Sequence, residues 1–155
     1  EVSDEPGIMA THIHANGEFE ELLQTTGGVS LGYDSSCDRD GFVRMEGNAV
    51  FKRAVGTFDA MSRETVADLD GHLDDIDWFI PHQANMRIIK AAAKKLSMPM
   101  ERVICTVDEH ANTSAASIPL ALDLAVREGR IKRGDTILMA AFGAGFTWGS
   151  AMLKF

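Results

Sequence analysis

Three short segments carry residue types that can hold and polarise a carbonyl oxygen. Asp77 to Pro81 (DWFIP) reads as a short buried strand and runs straight into His82-Gln83-Ala84-Asn85. Val103 to Val107 (VICTV) reads as another strand and runs into Asp108-Glu109-His110-Ala111-Asn112-Thr113. A third strand end, Phe142-Gly143-Ala144-Gly145-Phe146, supplies a turn with exposed backbone amides. In open α/β sheets ligands gather beyond the carboxyl ends of the strands. If the first two strands are neighbours, about 4.8 Å apart, His82 and Asn112 converge on one point. Imidazole, carboxamide and backbone N–H are uncharged donors, suited to an oxygen that gains negative charge during a reaction. On spacing alone the plainer readings stand beside this one: a hydrogen-bonded turn histidine and a helix N-terminal asparagine.

Other candidate constellations are weaker. His12 and His14 share one strand face and would give a metal two ligands. No third ligand has metal-site spacing, so no metal is expected. Gly143-Ala144-Gly145 with Gly149 has the wrong third spacing for a dinucleotide loop and precedes a strand instead of a helix.

The elements that position these residues follow from periodicity. Gly7 to Ala15 alternates and is partly β-branched, as in a strand, and residues 15–41 form a long irregular stretch with the acidic cluster Asp34, Asp38 and Asp40. From Asn48 to about Leu69 the spacing of Phe51, Ala54, Val55, Phe58, Met61 and Thr65 predicts a helix. Helices are also predicted over Ala84 to Leu96 and over Ser114 to Glu128, the latter ended by Gly129. Thr136 to Phe142 and Thr147 to Phe155 read as two strands joined by a tight turn. The alternation predicts an α/β domain: a mixed, mostly parallel sheet with helices on both faces and a C-terminal β-hairpin. The Ser114–Val126 stretch holds one charge, Asp123, and many small residues. A helix apolar nearly all round implies a second covering layer outside this chain.

Composition bounds the function. The chain has 155 residues, 45% hydrophobic and 25% charged, which suits one folded domain and not a disordered tail. The formal net charge is −8, which argues against a general nucleic-acid binder, and no apolar run approaches the ~18 residues of a membrane span. Two cysteines without paired spacing suit a reducing, cytoplasmic setting. The opening Glu1-Val2-Ser3-Asp4, without a starting methionine, reads as the middle of a larger protein. Charge is also segregated. Residues 64–77 hold six acids and no Lys or Arg, whereas residues 86–102 hold five basic residues and one acid. Arg87, Lys90 and Lys94 share a helix face with Lys95 beside them, a stripe that would steer an acidic partner.

HQANMRI, HANTSAAS with its Asn112 thirty residues after His82, and AFGAGFTWGSAML closely resemble the C-terminal half of the β-ketoacyl-acyl carrier protein synthase III family. The opening DEPGIMATHIHANG and the segment MEGNAVFK fit the same family. The resemblance implies a thiolase-like half-domain over residues 1–155, with the N-terminal half and its nucleophilic cysteine outside this chain. Cys37, in an acidic loop, and Cys105, within an apolar strand, do not replace that cysteine. The implied activity is an acyltransferase reaction: decarboxylative Claisen condensation of acyl-CoA with malonyl-acyl carrier protein, which starts fatty-acid synthesis. The chain alone is expected to be inactive. The resemblance implies that His82 and Asn112 are catalytic, that Phe142 walls the site, and that Ala144 occupies an oxyanion-hole position held by glycine in the family. Alanine can donate the same N–H provided φ stays negative. It further implies carrier-protein contacts at Gln83, Ala84, Asn85, Met86, Arg87, Lys52, Lys90, Lys94 and Lys95, and pantetheine contacts at Gly47 and Asn85. No tightly bound cofactor is expected, since the substrates carry CoA or phosphopantetheine. The expected partners are acyl carrier protein, acyl-CoA, the N-terminal half and a second copy of the complete protein. Two alternatives remain open: a thiolase-fold synthase of a specialised metabolite, and a non-catalytic carrier-protein or CoA-binding module.

Overall fold

The structure is a computed structural model and describes residues 7–37 and 41–155. Asp38 and Asp40 of the acidic cluster, and the start of the DEPG segment, lie outside the described residues. The first strand, β1 (Gly7–Ala15), is followed by a short hairpin of β2 (Leu23–Thr25) and β3 (Val43–Met45) within the stretch read as irregular. Helix α1 (Gly47–Ala67) leads to β4 (Trp78–Pro81) and then α2 (Met86–Lys95). A single helical turn, α3 (Val107–His110), precedes α4 (Ser117–Arg127), and the chain closes with β5 (Thr136–Gly143) and β6 (Thr147–Lys154). Among the described residues no helix is long and apolar enough to cross a membrane.

The main sheet has the order β1-β6-β5-β4. Strands β4 and β5 run parallel, whereas β5 with β6 and β6 with β1 are antiparallel. The sheet is therefore mixed as expected, but the parallel majority is not found. One reason is that β1 joins the hairpin's outer edge instead of a crossover strand. The other is that VICTV does not form a full strand. It contributes a single parallel bridge, Val103 to Phe79, with Ile104 N–H donating to Phe79 O at 2.9 Å, and its last residue already belongs to α3.

Beyond that bridge the Gln83 side chain takes over the pairing. Gln83 is fully buried. Its Nε2 donates to Pro81 O at 2.7 Å and Ile104 O at 3.1 Å, and its Oε1 accepts from Thr106 N–H at 2.8 Å. A carboxamide has both a donor and an acceptor end, so it can stand in for a peptide unit between two diverging segments.

Helices cover both faces of the sheet. On one face Ala54, Phe58 and Met61 of α1 and Ile89, Ala92 and Ala93 of α2 pack on Phe79, Leu138, Ala140 and Met152. On the other, Ala121 and Ala125 of α4 pack on Ile80 and Ile137. Strand β4 is thus buried on both sides, which explains why its sequence is continuously apolar. The α1 register is pinned by Thr65, whose hydroxyl lies 2.6 Å from Ser150 Oγ on β6. Helix α4 starts three residues later than expected, after a 3₁₀ turn over Ser114–Ala116, because Ser114 has φ of 54°. Only its sheet-facing side is covered; Leu120 is 37% exposed.

Replacing Gln83 by Leu would leave the buried Thr106 N–H and two carbonyls without partners. The expected cost is about 3 kcal/mol, seen as a lower urea midpoint with an unchanged slope.

Candidate active site

The carboxyl ends of β4 and β5 lie side by side because the two strands are parallel, Pro81 pairing with Ala140. His82 continues that ladder, its N–H donating to Ala140 O at 2.8 Å. The imidazole is thereby set beside Phe142, ring centroids 6.5 Å apart at 70°. Phe142 is in turn fixed edge-on to Phe58 at 5.7 Å and stacked on Phe146 at 6.1 Å. The site wall is therefore part of the core cluster.

The orientation of the imidazole is set from α4. Ser117, 1% exposed, places Oγ 2.7 Å from His82 Nδ1 and accepts the Gln83 N–H at 3.2 Å. The hydroxyl proton has no other acceptor among the described residues, so it goes to Nδ1. The ring is then the tautomer with its proton on Nε2, a nitrogen without a hydrogen bond among the described residues. Burial pushes the His82 pKa below its ordinary value, which favours the neutral ring. Sequence reasoning missed Ser117. Only its position in the small-residue run before α4 hinted at a neighbouring layer, and nothing in the spacing tied it to His82.

Asn112 sits in the exposed loop between α3 and α4, within the segment that leads into Ser117. Its Oδ1 accepts from Ser114 N–H at 3.1 Å, which turns the amide so that Nδ2 remains the free donor. Two non-glycine residues in the left-handed region, Ala111 at φ 56° and Ser114 at φ 54°, bracket it. Such backbone costs on the order of 1–3 kcal/mol each and concentrates at functional sites. No hydrogen bond joins Asn112 to His82 among the described residues. Ala144 is exposed and is not among the residues with positive φ, so its N–H meets the backbone condition for an oxyanion donor.

Gly47 and Asn85 come together although 38 positions separate them. Both line a cleft of about 560 Å³ with Met45, Phe51, Met86 and Arg87. Asn85 caps α2, its Oδ1 accepting from Ile88 N–H at 3.0 Å. Arg87 lies over the Phe51 ring at 5.6 Å, and Lys90, Lys94 and Lys95 are exposed along the same helix. Lys95 reaches Asp59 of α1 at 3.5 Å. Ala84 and Met86 are half-buried at the head of the helix.

One of the expected carrier contacts is displaced. Gln83 is sealed in the core with its amide committed to backbone, so it cannot meet a partner. Lys52 is exposed and lines a second cleft with Phe19, Arg53 and Trp148, one residue along α1 from Phe51. Of the cysteines, Cys37 is exposed. Cys105 is half-buried, and burial, reinforced by Asp108, pushes its thiol pKa up, away from thiolate.

Residues 67–155 match the family described as 3-oxoacyl-[acyl-carrier-protein] synthase III C terminal. The chain is 59% identical over 153 residues to the β-ketoacyl-[acyl-carrier-protein] synthase III of Thiobacillus denitrificans, covering 99% of this chain and 47% of that protein. It is 56% identical over 155 residues to the synthase III of Thioalkalivibrio sulfidiphilus, covering 100% and 48%. The crystal structure of 3-oxoacyl-[acyl-carrier-protein] synthase III from Aquifex aeolicus superposes with a TM-score of 0.86 at 41% identity, covering 100% of this chain and 46% of that one. The chain spans about half the length of the curated relatives it matches.

An NMR titration of the His82 ring should give a midpoint below 6.5, the ordinary histidine value. As pH falls below 6.5 the unfolded chain binds this proton first. The His82 contribution to stability is complete above that pH and declines beneath it. Nitrogen-15 shifts at neutral pH should show Nδ1 unprotonated in the wild type and a tautomer mixture in Ser117→Ala. A proton on Nδ1 in the wild type would reverse the assignment.

Proposed function

The chain belongs to the 3-oxoacyl-[acyl-carrier-protein] synthase III family, and on that premise we propose that it is the C-terminal half of an acyltransferase that condenses acyl-CoA with malonyl-acyl carrier protein. The observation that carries the reading is the His82 ring, with Nδ1 held by Ser117 and Nε2 left as a neutral donor beside the apolar Phe142. Fold, family and the order of the matching segments support it.

In this reading a cysteine thiolate of the N-terminal half attacks the acyl-CoA thioester, and CoA leaves with the displaced sulfur. Malonyl-acyl carrier protein then enters through the cleft of Gly47 and Asn85, its pantetheine arm lying between α1 and α2. The bond to the malonyl carboxylate breaks, carbon dioxide leaves, and the electron pair forms an enolate on the thioester oxygen. His82 Nε2–H and Asn112 Nδ2–H donate to that oxygen as charge develops. The enolate carbon attacks the acyl thioester carbonyl, whose oxygen is met by the Ala144 N–H, and the C–S bond breaks to release the cysteine thiolate. Phe142 offers no counter-charge to the carboxylate, which favours its loss.

A neutral imidazole suits this role better than a charged one. Its N–H stabilises the enolate without handing it a proton, so carbon stays nucleophilic. A donor that acts only on transition-state charge raises the rate and leaves substrate binding little changed.

The exposed Arg87, Lys90 and Lys94 row would guide the acidic carrier protein to the cleft on a protein that is negative overall. The open, largely apolar groove of about 470 Å³ between α4 and the sheet, lined by Ile13, Ile118, Pro119, Met139 and Ala151, suits the layer contributed by the N-terminal half. The complete protein is read as a homodimer.

In the protein carried at the length of its relatives, His82→Ala and Asn112→Ala should each lower condensation by about 10²–10³-fold. Wild-type rates in either variant would overturn the assignment, and carrier binding without condensation in the unmutated protein would favour a non-catalytic module. Arg87→Gln with Lys94→Gln should weaken carrier-protein binding more than acyl-CoA binding. The difference should shrink as salt is raised.

A further inference from the structure

The structure supplies the third ligand that sequence spacing does not show for His12 and His14. These residues, two apart on β1, project from the same face toward α1 and meet Glu64. One donor atom from each lies within 4.8 Å of the others. We propose that His12, His14 and Glu64 form a binding site for a divalent transition metal of the zinc class, with the Asp68 carboxylate beside the other nitrogen of His12.

The distances fit that use. Glu64 places Oε2 at 2.9 Å from His14 Nε2 and Oε1 at 3.5 Å from His12 Nδ1. Ligands bound tetrahedrally at zinc-like bond lengths sit about 3.3 Å from one another. The two separations bracket this value, and the three donors lie within 4.8 Å of one another, so side-chain rotation would be needed to close them on one ion. The other nitrogen of His12, Nε2, lies 3.1 Å from Asp68 Oδ2, one helical turn beyond Glu64. A carboxylate behind a ligating imidazole fixes its tautomer and raises its basicity. A bound metal would take the Nδ1 lone pair and the Glu64 carboxylate together, with the Nε2 proton turned toward Asp68.

His12 is otherwise poorly satisfied. Its side chain is 15% exposed, neither carboxylate contact makes an aligned hydrogen bond, and Nε2 is buried without a hydrogen-bond partner. The frame around the donors is stiff. The two imidazole rings are stacked 6.2 Å apart and within 4° of parallel, and His14 also stacks on Trp148 at 5.6 Å. Glu64 precedes Thr65, whose hydroxyl ties α1 to Ser150 of β6. Glu64 and Asp68 are 41% and 58% exposed, so an ion can reach the donors from solvent. Two imidazoles and one carboxylate favour zinc over calcium or magnesium, which take oxygen ligands. A bound ion would fasten the edge strand β1 to α1.

The test is calorimetric titration of the metal-stripped protein with zinc chloride, at the length of its relatives, with thermal unfolding in parallel. The wild type should bind one zinc at this site and unfold at a higher temperature with it. Glu64→Gln, which keeps the side-chain shape, should weaken that event at least tenfold, and His12→Ala with His14→Ala should abolish it together with the thermal shift. Cobalt(II) should give the wild type a visible absorption band that the variants lack. Zinc binding of equal affinity in wild type and Glu64→Gln, or no zinc-dependent thermal shift in the wild type, would overturn the site. Should the double histidine variant fail to fold, the Glu64→Gln comparison decides alone.

Discussion

The organising constraint is the position of one hydroxyl. Ser117 Oγ sits between a backbone N–H that can only donate and an imidazole nitrogen 2.7 Å away to which its own proton can go. It joins the start of α4 to the tip of β4, so the packing of a helix on a sheet decides where an imidazole proton points. A shift of α4 away from β4 would lengthen both contacts together. Gln83 extends the same arrangement inward, its amide bridging β4, the VICTV segment and Thr106. Both amide hydrogens of Gln83 and its oxygen are used there, whereas the buried Thr106 hydroxyl has no hydrogen-bond partner among the described residues.

Two kinds of surface result from this organisation. The α2 face is basic, exposed and bordered by a cleft, the side on which the proposed function seats the carrier protein. The α4 face is apolar and lined by small residues, as befits a permanent neighbour. One domain thus presents a basic face and an apolar face on opposite sides of a single sheet, with His82 at the strand tips between them.

Much of this was legible from the residues alone. The three long helices and the terminal hairpin follow from apolar spacing, and β4 from its uninterrupted apolar run. The failures share a cause: each depends on a contact between distant residues. VICTV has strand composition, but Gln83 intercepts its hydrogen bonds after one bridge. Gln83 sits within a motif that reads as surface, yet its amide completes a backbone pairing and is buried. Ser117 looked like one small residue among several, and Glu64 like one acid in a solvated run. Local periodicity reports which face is covered; it does not report which polar atom across the fold needs a partner.

His82 and Asn112 are mounted differently. The histidine prolongs a strand pairing and rests on an aromatic cluster, so it is as immobile as the sheet. The asparagine rides on a solvent-facing crank with a reversed backbone twist at either side. One donor therefore acts as a datum and the other as a follower. In the proposed reaction an arriving carbonyl would be registered against the imidazole and then met by the carboxamide.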